Sequence, residues 1–202
     1  TSKDAGEQTS RYDVAVIGGG VSGCAIARQL ARYRLKVVLL ERQAEVGFGT
    51  TKTNSGIIHA GHHSPEDTLK GRLVVRGNTL FDQLRDELDF GFRRIGELVV
   101  ARSAADLPVL DELMLLGERK GVPGLEKWDQ KRLRREEPNL SRKLLGALYA
   151  PSAGVINPYE FAFALVENAV DNGVELRVDS PVEKIRQDAD GETLLLSTPS
   201  GE

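Results

Sequence analysis

An α/β fold organised on a parallel sheet is predicted by three features of the stretch from Asp13 to Glu41. A short apolar run, Val14 to Ile17, enters Gly18-Gly19-Gly20-Val21-Ser22-Gly23; a helical pattern follows; a second apolar run, Val37 to Leu40, ends in Glu41. Strand, glycine turn, helix and parallel strand make the unit that sets a pyrophosphate over a helix N-terminus, where unpaired N–H groups and the helix dipole both favour an anion. Gly18 permits the tight turn off the strand, and Gly20 removes the Cβ that would hold a pyrophosphate off the backbone. Gly23 lets the helix lie close on the sheet. Glu41 follows Gly18 by roughly twenty residues, where a carboxylate accepts hydrogen bonds from the adenosine ribose. Glycine turns also occur for structural reasons alone; the strand before, the helix after and the acid at that distance favour the dinucleotide reading.

Composition narrows the class. The 202 residues, 40% apolar and 28% charged, suit a globular chain with one large domain or two small ones. A formal net charge of -3 gives no field that would gather nucleic acid. No apolar run approaches the ~20 residues needed to span a bilayer, which leaves peripheral attachment to a membrane open. The single cysteine, Cys24, cannot form an internal disulfide, and an intracellular compartment, mitochondrial or cytoplasmic, fits. Its place just after Gly23 suits a small residue packed under the turn better than a thiol activated by the helix. Residues 1–10 are polar and read as a flexible tail.

After Glu41 a plain nicotinamide domain would continue into another helix and parallel strand. This chain runs instead from Arg42 to Gly61 through a glycine, hydroxyl and amide stretch, GFGTTKTNSGIIHAG at its end. Its backbone N–H groups and short polar side chains suit it to following an extended cofactor, which favours FAD over NAD.

With Gly18, Gly20, Gly23, Glu41 and that second segment, the chain resembles the FAD-dependent oxidoreductases of the D-amino-acid-oxidase and glycerol-3-phosphate-dehydrogenase type. Further similarity lies in Phe92 to Val100, Glu136 to Leu140, Gly146 to Pro151 and Asn157-Pro158-Tyr159. The resemblance covers nearly all of 11–186 and is nearest to bacterial-type glycerol-3-phosphate dehydrogenases, with L-2-hydroxyglutarate dehydrogenases next. It implies that Arg42, Thr50, Thr51, Asn54, Ser55 and Gly56 join the glycines and Glu41 in holding FAD, and that backbone near Val182 sits against the adenine. It also implies a small phosphorylated or hydroxy-acid substrate, with a quinone or oxygen as electron acceptor. Relatives of this type continue for a comparable length again, so the chain is expected to be an amino-terminal portion, completed by a carboxy-terminal half or a second chain.

The remaining elements follow from pattern. Ser64 as cap, Pro65 at the first position and the acids Glu66 and Asp67 predict a helix, with Leu69, Leu73, Leu80, Leu84 and Leu88 as one buried stripe. Ile95 to Ala101 reads as a strand. Asp106 to Lys120 reads as a helix with Leu107, Leu110, Leu113 and Met114 inward and Gly121 ending it. The five basic residues within Lys127 to Arg135 are interrupted by Asp129 and followed by Glu136 and Glu137, so a solvated helix face is favoured over a nucleic-acid contact. Leu144 to Ala150 predicts a strand, and Asn157-Pro158-Tyr159-Glu160 opens a helix that packs Phe161, Leu165 and Ala169 and closes at Asn172-Gly173. Strands are expected at 174–178, 182–186 and 192–197, the last two around Asp190-Gly191.

The organisation expected is a Rossmann-like FAD-binding domain with a parallel sheet, discontinuous over 11–62 and 158–202, and part of an inserted α+β substrate domain over 63–157. His59, which follows the second segment, is the candidate catalytic base, because imidazole titrates near neutrality; packing beside the cofactor is its structural alternative. His59, His62 and His63 bring three imidazoles close together, but no cysteine joins them and Glu66 and Asp67 serve the helix start, so no metal site is assigned. No GK[ST] follows the glycines, which argues against a triphosphate loop. Two functional classes result: the FAD-binding half of a dehydrogenase for glycerol 3-phosphate or a similar hydroxy acid, and a non-catalytic subunit that keeps the fold.

Overall fold

A computed structural model describes residues 10–189 and 191–199. Chain order runs β1 (Val14–Ile17), α1 (Val21–Leu30), β2 (Val37–Leu40), β3 (Ile57–Ile58), α2 (Leu69–Glu87) and β4 (Arg93–Arg94). It continues through β5 (Glu97–Ala101), α3 (Leu107–Arg119), β6 (Glu126–Asp129), α4 (Gln130–Glu136), β7 (Gly146–Ala150) and β8 (Gly154–Val155). Helix α5 (Pro158–Asp171) and strands β9 (Glu175–Arg177), β10 (Lys184–Gln187) and β11 (Leu194–Ser197) follow. Two compact units result: the residues up to Ser55 with those from Pro158 onward, and Gly56–Asn157. Residues 56–62 therefore cluster with the second unit.

In the first unit β1, β2 and β9 form a parallel sheet with β2 in the middle. All four residues of β2 are buried, as expected of a central parallel strand covered on both faces. Helix α1 packs on α5 through small residues: Cys24 and Ala27 are wholly buried on α1, Ala162 and Ala169 on α5. Arg28 Nε donates to Asn168 Oδ1 at 2.9 Å along the same seam. β10 and β11 pair antiparallel, with each strand starting two residues later than the sequence predicts. The expected tail lies largely outside the described residues, as does Asp190 of the expected turn.

The second unit holds two small antiparallel sheets, β3-β8-β4 and β5-β7-β6. Leu110 of α3 is buried with Ala101 and Leu148, and Leu107, Leu113 and Met114 pack against them. The basic segment departs from expectation. Its first part is β6, which pairs with β7 and buries Trp128, and only Gln130 onward is helical.

Helix α2 departs twice. Its cap is Thr68, whose hydroxyl accepts from Gly71 N–H at 2.9 Å, and not Ser64. Pro65 to Asp67 form a turn folded over the helix start, where Thr68 also donates to Pro65 O at 2.8 Å. Ser64 is buried in the preceding loop, which Lys120 Nζ holds by donating to the carbonyls of Gly61 and Ser64 at 2.6 and 2.8 Å. The leucine stripe is buried only at its end: Leu69, Leu73 and Leu80 are 62%, 50% and 44% exposed, Leu84 is half-buried and Leu88 is buried. The inward face is Gly71, Val75, Asn78 and Asp82, two residues out of phase and so on the other side of the helix. Arg94 fixes that face. Its guanidinium forks onto the Asp82 carboxylate, at 3.2 Å from Nε and 2.8 Å from Nη2, and donates to Asn78 Oδ1, Asn78 O and Ser152 O.

Candidate functional site

The glycine turn is built by backbone packing. Gly18 has φ +101°, a left-handed conformation that glycine adopts without strain, and its N–H donates to Leu40 O at 2.8 Å. A Cβ on Gly23 would lie 1.9 Å from Gly18 O, so the first turn of α1 sits directly on the loop. The cap position, Gly20, offers no side chain to the helix start, and no acid occupies the first turn. Of the first-turn N–H groups, that of Val21 is met from outside the helix by the Thr51 hydroxyl, at the positive end of the dipole.

Gly20, Glu41, Arg42, Gln43, Phe48, Gly49, Thr50 and Thr51 line one cleft of about 240 Å³. Thr51 ties the two predicted segments together. Its hydroxyl accepts from Val21 N–H at 3.0 Å and lies 3.4 Å from where a Cβ on Gly20 would stand. Thr50 to Thr53 form one 3-10 turn, and Asn54 Nδ2 donates back to Thr51 O at 2.5 Å. Ser55, the next residue, is exposed in the same unit.

Glu41 is buried at the end of β2, where Oε2 accepts from Gly19 N–H at 2.6 Å and Oε1 from Gln43 N–H at 2.9 Å. Each oxygen keeps a lone pair for a further donor. The chain after β9 returns to this edge: Ser180 N–H donates to Glu41 O and Asp179 N–H to Gln43 O. Beneath the turn, Cys24 is fully buried and its Sγ donates to Gly19 O at 3.4 Å. Burial, reinforced by Glu41, pushes its thiol up to about 12, so it packs and does not react.

Gly56 and His59 belong to the second unit. Gly56 has φ +65° and accepts from Ile156 N–H, beside β3. His59 Nδ1 lies 3.0 Å from Glu97 Oε2, and Glu97 Oε1 accepts from Ala60 N–H at 3.1 Å. The His59 ring meets His63 edge to face at 4.7 Å, and His63 meets His62 at 5.1 Å. His62 is completely buried; its Nδ1 is 3.5 Å from Glu97 Oε1, a contact and not a formed hydrogen bond. Burial holds His62 and His63 below the ordinary histidine pKa, with neighbouring cationic groups pushing the same way and Glu97 opposing. Ligand atoms of His59, His63 and Glu97 lie within 4.8 Å of one another, and the Glu97 oxygens also bond His59 and the Ala60 N–H.

Glu97 and Arg94 are the residues that sequence reasoning misses. Glu97 stands 38 positions from His59 on another strand, so no spacing marks it, and Arg94 sits in a plain strand-forming run.

The turn, the cleft and the parallel sheet define a dinucleotide-binding oxidoreductase fold, with a helix start, a close glycine and a rim carboxylate that fit a pyrophosphate and ribose. The chain belongs to the DAO family of FAD dependent oxidoreductases, whose model matches residues 13–202. FAD is the cofactor of this family. The chain is 45% identical over 176 residues to the glycerol 3-phosphate dehydrogenase of Caloramator mitchellensis, covering 87% of this chain and 37% of that protein. It is 35% identical over 161 residues to the mitochondrial L-2-hydroxyglutarate dehydrogenase of Arabidopsis thaliana, covering 80% and 33%. Among solved structures, the dithionite-reduced L-alpha-glycerophosphate oxidase of Mycoplasma pneumoniae with FAD bound superposes with TM-score 0.90 and 26% identity, over 95% of this chain and 50% of that one. The chain thus spans about a third to a half of the relatives it matches. Among the described residues no helix is long and apolar enough to cross a membrane.

Proposed function

We propose that this chain supplies the FAD-binding part of a dehydrogenase that oxidises glycerol 3-phosphate to dihydroxyacetone phosphate. The observation that carries the reading is the junction at Thr51, where the glycine turn and the second segment are bonded into one cleft. The substrate rests on similarity to a glycerol 3-phosphate dehydrogenase and a glycerophosphate oxidase. The α1 N-terminus with Gly18, Gly20 and Gly23 holds the pyrophosphate. Glu41 and Arg42 hold the ribose end, Thr50, Thr51, Asn54, Ser55 and Gly56 follow the rest of the cofactor, and backbone near Val182 lies against the adenine. Residues 11–62 and 158–202 then serve the cofactor and 63–157 the substrate.

When bound, FAD supplies the two-electron acceptor for the hydride that leaves the alcohol carbon. His59 takes the hydroxyl proton at Nε2, since Nδ1 faces Glu97. Alcohol becomes ketone, with one hydride and one proton removed. A quinone or oxygen receives the electrons in turn. L-2-hydroxyglutarate is the second substrate to consider, on the 35% identity to its dehydrogenase. A subunit that binds FAD without turnover is the rival class.

The test is anaerobic mixing of the natural flavin-loaded protein with each alcohol while the visible flavin absorbance is followed. Bleaching by glycerol 3-phosphate and not by L-2-hydroxyglutarate is expected. Bleaching by L-2-hydroxyglutarate alone would transfer the assignment to that substrate. Bound flavin that neither compound bleaches would favour the non-catalytic rival, and protein isolated without flavin would remove the cofactor reading.

A further inference from the structure

We propose that Glu97 is a positioning residue for His59, selecting the ring tautomer that leaves Nε2 free to accept a proton. The inference rests on the reading of His59 as the base. Three observations converge on this carboxylate. Its Oε2 lies 3.0 Å from His59 Nδ1, its Oε1 accepts from Ala60 N–H at 3.1 Å, and its side chain is only 18% exposed while that of His59 is 39% exposed. An ionised carboxylate accepts and cannot donate, so Nδ1 must carry the hydrogen and the lone pair must sit on Nε2.

Glu97 can do this because it is held. It opens β5, paired with Ala150 of β7, and the preceding Gly96 donates to Ala153 O at 3.0 Å. His59 is anchored from the other side, where its carbonyl accepts from Asn78 Nδ2 at 3.0 Å. Oε1, bonded to the Ala60 amide, cannot swing away without leaving that N–H unpaired. The two oxygens therefore have separate tasks: Oε1 locks the carboxylate to the backbone next to His59, and Oε2 orients the ring. Once His59 takes a proton, the same carboxylate lies against the imidazolium. His62, His63, Lys70 and Lys120 also act on this cluster; Glu97 is the anion that opposes them at His62 and His63, while Glu66 acts on Lys120.

The experiment compares wild-type holoenzyme with Glu97→Gln and Glu97→Asp, with two readouts. Nitrogen NMR of the His59 ring reports the tautomer without turnover: Nδ1 is expected to be protonated in the wild type, and Glu97→Gln, which can donate its amide to Nδ1, is expected to move the proton to Nε2. Steady-state kinetics should show kcat reduced by about a hundredfold or more in Glu97→Gln with KM changed far less. The acid limb of the kcat/KM profile should move to lower pH. Glu97→Asp keeps the charge on a shorter arm and should recover part of kcat; it also serves if Glu97→Gln fails to fold. An Nε2-protonated ring in the wild type, or wild-type kcat and pH profile in both variants, would overturn the proposal. Full turnover in His59→Ala would instead remove the underlying reading of His59, while the tautomer result would stand by itself.

Discussion

The Thr51 hydroxyl accepts the Val21 amide at 3.0 Å, so a residue from the second glycine-rich segment caps the helix that the glycine turn begins. Thr51 is buried, and Thr51→Val would leave that N–H without an acceptor. A loss of about 1–3 kcal/mol is expected in urea unfolding. Thr51→Ser retains the oxygen and should recover most of it. A loss in Thr51→Ser with none in Thr51→Val would mean that the methyl group, and not the hydroxyl, is what counts.

Gly23 carries a different constraint. A methyl group there would meet Gly18 O at 1.9 Å, and the obstacle is backbone. Gly23→Ala must lift α1 off the turn, at a cost of about 3 kcal/mol or more by analogy with overpacked cores. FAD titration of the variant should show weaker binding along with a lower melting temperature.

Cys24 should be inert in the native protein. It is wholly buried, and a thiol pushed up to about 12 has almost no thiolate at neutral pH. Disulfide-exchange reagents are expected to label it only at the rate of unfolding. Rapid stoichiometric labelling in native buffer would contradict the packing.

Acid should weaken the second unit through His62. Its pKa is lowered in the fold by burial, so below about 6.5 the unfolded chain binds more protons at this position than the folded one. This contribution is fully present above the unfolded value and is lost as pH falls below it; His63 acts in the same sense. Urea midpoints measured from about pH 8 down to about pH 5 should therefore decline, and His62→Phe should flatten the decline.

The Arg94 fork makes a prediction about shape and not charge. Arg94→Lys retains the cation but cannot span both Asp82 oxygens and the Asn78 carbonyl together. About 2 kcal/mol should be lost in urea unfolding. Leu73→Ala, at the exposed face of the same helix, should change stability by less than about 0.5 kcal/mol.

The glycine turn, β2 and the α5 start were legible because each is dictated locally: Gly18 by its backbone conformation, β2 by its continuous apolar run, α5 by Pro158 and Glu160 at its first turn. The link between Thr51 and Val21 was foreshadowed only as two segments serving one cofactor. Leucine spacing announced an amphipathic α2, but periodicity does not say which side meets the interior, and the face with Val75 and Asn78 lies inward, where Val75 packs on the Ala60 cluster and Arg94 bonds Asn78 and Asp82. Ser64-Pro65 imitated a helix start, whereas Thr68 was the better cap once Pro65 folded back. Glu97 left no trace, since a strand pairing and not a spacing carries it to His59.

Helix α2 is latched by its hydrophilic side. The guanidinium of Arg94 acts as a peg that, with Val75 seated on the Ala60 cluster, holds the helix with Leu69, Leu73 and Leu80 turned outward. That surface can consequently be recoded with glutamate and lysine to suit water, and the helix would not turn.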